Sequence, residues 1–203
     1  TRLSRGLGDV YKRQDLDGWP MVVLSPDMVA ASSSTVTTIP HEFFHALQAE
    51  AGGYAYSGES AWWWEATATW MESVVYPADP SYAVFLFGFA FLPHYPLSFF
   101  DYYDTGAFQE LYQYGAFIFP RYLSEQVTDP ETVVDTWLDT RGHDEPLAPL
   151  AEALAEQGVD LEEVIADFSA HNAVWDYADG STYTYLDYYA EFPEYAAHDA
   201  RIT

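Results

Sequence analysis

The sequence predicts a mainly α-helical domain with a remnant of sheet at its N-terminal end. Two observations carry this. From residue 38 onward, apolar and aromatic residues recur in segments of helical length, bounded by capping residues, glycine or proline. Before that, only the short run PMVVLS at 20–25 has the length and apolar continuity of a strand. The chain has 203 residues, 49% of them hydrophobic and 18% aromatic, which is ample for one buried core and unlike a disordered acidic tail.

In chain order, 32–38 reads as a Ser/Thr-rich loop ending in capping residues. A helix follows over 38–51, with Pro40 in its first turn, where proline is tolerated, and Gly52 and Gly53 as its stop. A second helix spans 61–75 and ends before Pro77. A third, very aromatic segment covers 80–91, and a loop rich in Pro, Tyr and Phe covers 93–106. The fourth helix, 108–126, contains Pro120 and is expected to kink there. Asp129 caps a fifth helix with Pro130 at its first position; LAPLAEALAEQG is a sixth; Asp160 caps a seventh. After Trp175, the Gly-punctuated run YADGSTYTYLDYYAEF suggests a hairpin, a C-terminal extension over 176–203 or the start of another module.

Charge and composition exclude several functions. Lys and Arg total 7 against 32 Asp and Glu, a net charge of −25, which repels nucleic acid and anionic lipid alike. The absence of cysteine excludes disulfides, thiolate nucleophiles and Cys-type zinc sites. The longest apolar run, 83–92, is about half the roughly 18 residues needed to span a bilayer, so no membrane span is expected. Residues 4–14, SRGLGDVYKRQ, resemble an in-frame translation of a transposon-type sequencing-library adapter, so 1–14 is set aside as artefactual. Removing Asp9 and four of the seven bases leaves Arg121, Arg141 and Arg201 and a charge of −28. So acidic a chain suits a saline or calcium-containing medium, where Ca2+ and other cations screen self-repulsion and add stability.

The chemistry centres on HEFFH, His41 to His45. On a helix, His41 and His45 lie on one face with Cβ atoms about 5–6 Å apart, so both imidazoles can reach one Zn2+ ion. Glu42 is turned about 100° away, beside the ion rather than on it, where a general base belongs. A catalytic zinc site takes three protein ligands and keeps one position open. Glu65 lies 20 residues after His45 within WWWEATATWMES, and packing of the two helices would turn it to the histidine pair. Glu72, two turns on along the same face, is placed to accept a hydrogen bond from a ligand histidine. The bland alternatives are a core helix with two satisfied histidines and a solvated Glu65. The tryptophans at 62, 63, 64 and 70 argue against plain solvation.

HExxH, a gap of 19 residues and then Glu on a following helix resembles the gluzincin zinc metalloproteases, over about 40–172. The segment around Glu65 is similar to a group of largely uncharacterised bacterial metalloproteases, often secreted, with HEFFH and EGTATWME-like motifs. The resemblance implies a zincin-like metalloprotease domain over 15–175, α+β when intact, whose N-terminal sheet is truncated here. It implies His41, His45 and Glu65 as zinc ligands, Glu42 as general base, a peptide or protein substrate, and a secreted or cell-surface location. Thermolysin-like enzymes carry Asp four residues after the ligand Glu, where this chain has Thr69. YQYGAFIFPRYLSEQ is similar to the Tyr-x-x-Gly helix start of aminopeptidase-type gluzincins, whose tyrosine stabilises the oxyanion. That maps onto Tyr112, and Tyr114 competes for the role.

His94, His143, His171 and His198 read as structural or surface residues, FLFGFAF as core, and the YPLSFF loop as a cleft wall. Two further readings stand beside the peptidase. One is a non-catalytic cell-surface module keeping a zinc ion. The other is a calcium-dependent adhesion domain in which HEFFH is only core.

Overall fold

A segment such as AWWWEATATWMESVV has no polar face wide enough to meet water, and a helix apolar all round belongs inside a protein. In the computed structural model, which describes residues 13–14, 20–21, 33–101 and 107–183, this segment is the central helix. Helix α1 spans Ser33–Ala51 and α2 spans Ala61–Val75. Every α2 residue from Ala61 to Trp70 is buried. Trp62, Trp63 and Trp70 are at most 2% exposed. At about 25 cal/mol per Å2, each such ring contributes roughly 4–6 kcal/mol before entropy.

The remaining elements wrap α2. After α2 come a 3-10 segment, Pro80–Phe85, and the short helix α3, Leu86–Phe91. Helix α4 covers Ala107–Gly115, α5 Ile118–Tyr122, and a π turn Leu123–Val127. Helices α6 (Pro130–Leu138), α7 (Leu147–Glu156) and α8 (Leu161–Val174) complete the domain, which is mainly α. Asp129 accepts from the Thr132 N–H, and Asp160 from the N–H groups of Glu162 and Glu163, so both expected caps are formed. Strands β1 (Arg13–Gln14) and β2 (Pro20–Met21) pair antiparallel, Arg13 opposite Met21, and β2 lies on α1. No helix among the described residues is long and apolar enough to cross a membrane. The rest of the predicted strand, most of the adapter-like segment, His198 and Arg201 lie outside the described residues.

Two helix boundaries differ from the sequence reading. Residues 33–38, expected as a loop, are the first turns of α1, which leaves Pro40 inside the helix. The carbonyl that Pro40 deprives of a donor is that of Val36, near the helix start, and Val36 is exposed. The expected helix 108–126 breaks at Ala116 and Phe117 rather than kinking at Pro120. Proline acts on the carbonyl four residues earlier. Ala116 O therefore accepts from the Phe119 N–H at 3.0 Å, a tighter turn than the α-helix allows.

Helices α3 and α4 meet at two glycines. A Cβ on Gly88 would lie 2.5 Å from backbone atoms of Leu111 and Tyr112, and one on Gly115 would lie 2.4 Å from Phe85 O. Only glycine permits that approach. Beyond α8, Trp175 takes a left-handed φ of 51° and turns the chain back. Tyr183 is fully buried, and Asp179 Oδ2 accepts from Tyr82 Oη, Tyr183 Oη and Arg121 Nη1 at 2.7–2.9 Å. Residues 175–183 therefore pack into the same core as the helices.

Candidate metal centre

Helices α1 and α2 pack side by side, and their facing surfaces carry the histidines and the acids. His41 Nε2 lies 3.1 Å from His45 Nε2 and 3.2 Å from Glu65 Oε2. The third edge of the triangle, His45 Nε2 to Glu65 Oε2, is 3.4 Å. Bonds of about 2.0–2.1 Å at the tetrahedral angle put neighbouring zinc donors roughly 3.3–3.4 Å apart. Two imidazoles and a carboxylate are also a donor set that zinc prefers. The residues present therefore fit such an ion by spacing and by chemistry. Among the described residues, this is the group of His, Asp and Glu side chains able to hold a metal.

Each donor is held from behind. Glu72 Oε1 accepts from His41 Nδ1–H at 2.9 Å, which aims Nε2 at the trio. His45 is oriented by a directional chain. The Thr67 hydroxyl donates to Trp63 O, so its oxygen accepts from Gln48 Nε2, which also donates to Trp64 O. Both amide protons of Gln48 are thus spent, its Oε1 faces His45 Nδ1 at 2.6 Å, and that nitrogen must carry the proton. The lone pair then sits on Nε2, the atom in the triangle. Tyr56 donates to Glu65 Oε1 at 2.5 Å. Gln48 and Tyr56 were not foreseen from sequence. Gln48 carried a signal, being one turn beyond His45 on the same face; Tyr56, one of 17 tyrosines, carried none.

The electrostatics follow from packing two acids against two imidazoles out of water. Burial pushes the His41 pKa down, but hydrogen bonds and charge from Glu65 and Glu72 outweigh it and raise the value to about 10. Burial pushes Glu65 up, and the two histidines overturn that, leaving it well below the usual carboxylate range. Glu42 is 6% exposed, and burial raises its pKa against the opposing pull of His41 and His45. Among the described residues, nothing donates a hydrogen bond to its carboxylate. A buried acid beside the trio that no described residue hydrogen-bonds is where a reacting water can bind.

The two candidate tyrosines part company. The ring of Tyr114 lies 6.0 Å from that of His41 and stacks on Phe85. The charge of Glu65, then burial and Glu42, push its phenol well above the ordinary value, so it remains a donor. Tyr112 points into the core: its hydroxyl donates to Tyr95 O and Pro96 O, and its ring packs on Phe89, Tyr95 and Phe99. Gly115, read as part of a catalytic signature, is the close-packing point that sets α4 and hence Tyr114. The YPLSFF loop reaches the site through Phe100, edge-on to Tyr56 at 5.5 Å. Thr69 is fully buried, and among the described residues its hydroxyl has no hydrogen-bond partner. His94 packs on Tyr95, His143 pairs with Glu152, and His171 with Asp167 and Tyr122.

A family profile, described as a family of unknown function (DUF6055), matches residues 17–198. No curated protein matches the chain, and no solved structure does. The match takes in both helices that carry His41, His45 and Glu65 and continues past the buried Tyr183, and by it the chain belongs to the DUF6055 family.

Proposed function

We propose that this chain is a zinc-dependent metallopeptidase that hydrolyses peptide bonds, with Glu42 as general base. The observation that supports this most is the triangle of His41, His45 and Glu65 donors with the buried Glu42 carboxylate, which no described residue hydrogen-bonds, beside it. His41, His45 and Glu65 would hold the ion. When bound, zinc supplies Lewis-acid polarisation of the scissile carbonyl and acidifies water.

The chain's own groups do the rest. Glu42 takes a proton as water oxygen attacks the carbonyl carbon, and gives it to the amine nitrogen as the C–N bond breaks. Tyr114 donates to the oxyanion that forms on the substrate, an interaction worth roughly 3–4 kcal/mol where single donors have been deleted. Glu72 and Gln48 keep both imidazoles aimed throughout. Three protein donors rather than four favour this reading over a purely structural zinc site, which closes its coordination with protein ligands.

The test is elemental analysis with a peptide-hydrolysis assay on the full chain and on Glu42→Gln. One zinc per chain is expected in both, with hydrolysis reduced about 10²–10⁴-fold in the variant. A chain without zinc, or a variant as active as the parent, overturns the assignment.

A further inference from the structure

The two oxygens of Glu65 have different neighbours. Oε2 faces both imidazoles at 3.2 and 3.4 Å, and Oε1 accepts the Tyr56 hydroxyl at 2.5 Å. Tyr56 comes from the loop between α1 and α2, and its ring stands nearly perpendicular to those of Trp64 and Phe100, at 5.6 and 5.5 Å. Those two walls fix the direction of the hydroxyl. Trp64 also lies against His45, with ring centroids 6.1 Å apart.

We propose that Tyr56 is a positioning residue that holds Glu65 to a single donor oxygen and keeps the metal centre four-coordinate with one open position. The inference rests on the metallopeptidase reading and adds to it how the third ligand is restrained. Without the hydroxyl, Oε1 is free to turn onto the ion. The carboxylate then becomes bidentate and crowds the open position, or rotates and weakens the set.

The test is Tyr56→Phe in the full chain, which keeps the ring and both walls. Zinc affinity is measured by competition with a chelator, and coordination number by the visible absorption of the cobalt(II)-substituted protein. The expected result is about 10–100-fold weaker zinc binding, together with a loss of the intense absorption of four-coordinate cobalt. Weaker binding with an unaltered cobalt spectrum marks a packing effect and overturns the proposal, as does unchanged binding. If Tyr56→Phe does not fold, Phe100→Leu, which loosens one wall and keeps the hydroxyl, is judged by the same two readings. A parent chain that takes up neither metal overturns the peptidase reading along with this one; a parent that binds, with a variant like it, overturns this one alone.

Discussion

Zinc binding to this chain should expel a proton, and the geometry gives the number. Without metal, His41 lies between two carboxylates and holds both ring protons, its pKa raised to about 10. An ion needs the Nε2 lone pair, so that proton must leave. At pH 7.5 the gap is about 2.5 pH units, so roughly one molecule in 300 already carries the neutral ring. Binding should then release about one proton from His41 and be about 300-fold weaker than to the neutral site. Affinity should rise about tenfold per pH unit between pH 7.5 and 9. The sign is that of a raised pKa: the metal-free fold gains from this group fully below about pH 6.5 and loses the gain as pH rises through about 10. Calorimetric titration of zinc into the metal-free chain, in buffers of different ionisation enthalpy, counts the protons. Glu72→Gln keeps an acceptor for Nδ1–H but removes a charge, so the pH at which release disappears should fall. A proton count of zero at pH 7.5, or an affinity indifferent to pH, would refute the reasoning.

The tyrosines offer a paired comparison. Tyr114→Phe should lower kcat by about 10²–10³-fold with little change in stability. Tyr112→Phe should leave kcat alone and cost about 1 kcal/mol, because its hydroxyl serves two backbone carbonyls; peptide kinetics beside urea unfolding distinguish the two, and the reverse pattern would exchange their roles. Gly115→Ala puts a methyl 2.4 Å from Phe85 O, where ordinary contact begins at 3.4 Å. Helices α3 and α4 must part by about 1 Å, so the urea midpoint should fall by the equivalent of about 1–3 kcal/mol while zinc stoichiometry is kept. An unchanged midpoint would show that the contact is not close in solution.

Local signals carried much of the architecture. Helix α2 lies where its apolar run and Pro77 put it, and Asp129 and Asp160 cap their helices because side-chain capping is decided within a few residues. The start of α1 was not legible, since Ser and Thr favour loops by propensity, while Thr37 and Thr38 are buried in the fold and the helix runs through them. Pro120 was recognised, but its effect appears at the carbonyl four residues earlier. The convergence of His41, His45 and Glu65 was readable because it needs only one helical turn and one helix pair. The choice between Tyr112 and Tyr114 was not, since it depends on how closely α3 and α4 approach. Tyr56 was hidden for a similar reason: a loop residue's direction is set by the walls around it, here Trp64 and Phe100.

Arg121 is one of very few cations in the chain, and it is inside. The acid on its Nη1 comes from Asp179, near the far end of the described residues; Glu125 holds only Nε. A chain cut after Trp175 would keep α1 to α8 and still take the Asp179 carboxylate from Nη1, leaving that nitrogen only the Tyr82 hydroxyl among the described residues. Losing one partner of a fully buried pair costs about 3–5 kcal/mol; with the Asp179 side chain 20% exposed and Glu125 and Tyr82 still in place, the cost here is smaller, against a total stability of roughly 5–15 kcal/mol for a domain. The turn over 175–183 therefore works as a stopper on the helices, and a piece ending at Trp175 should be less stable than one that runs to Tyr183.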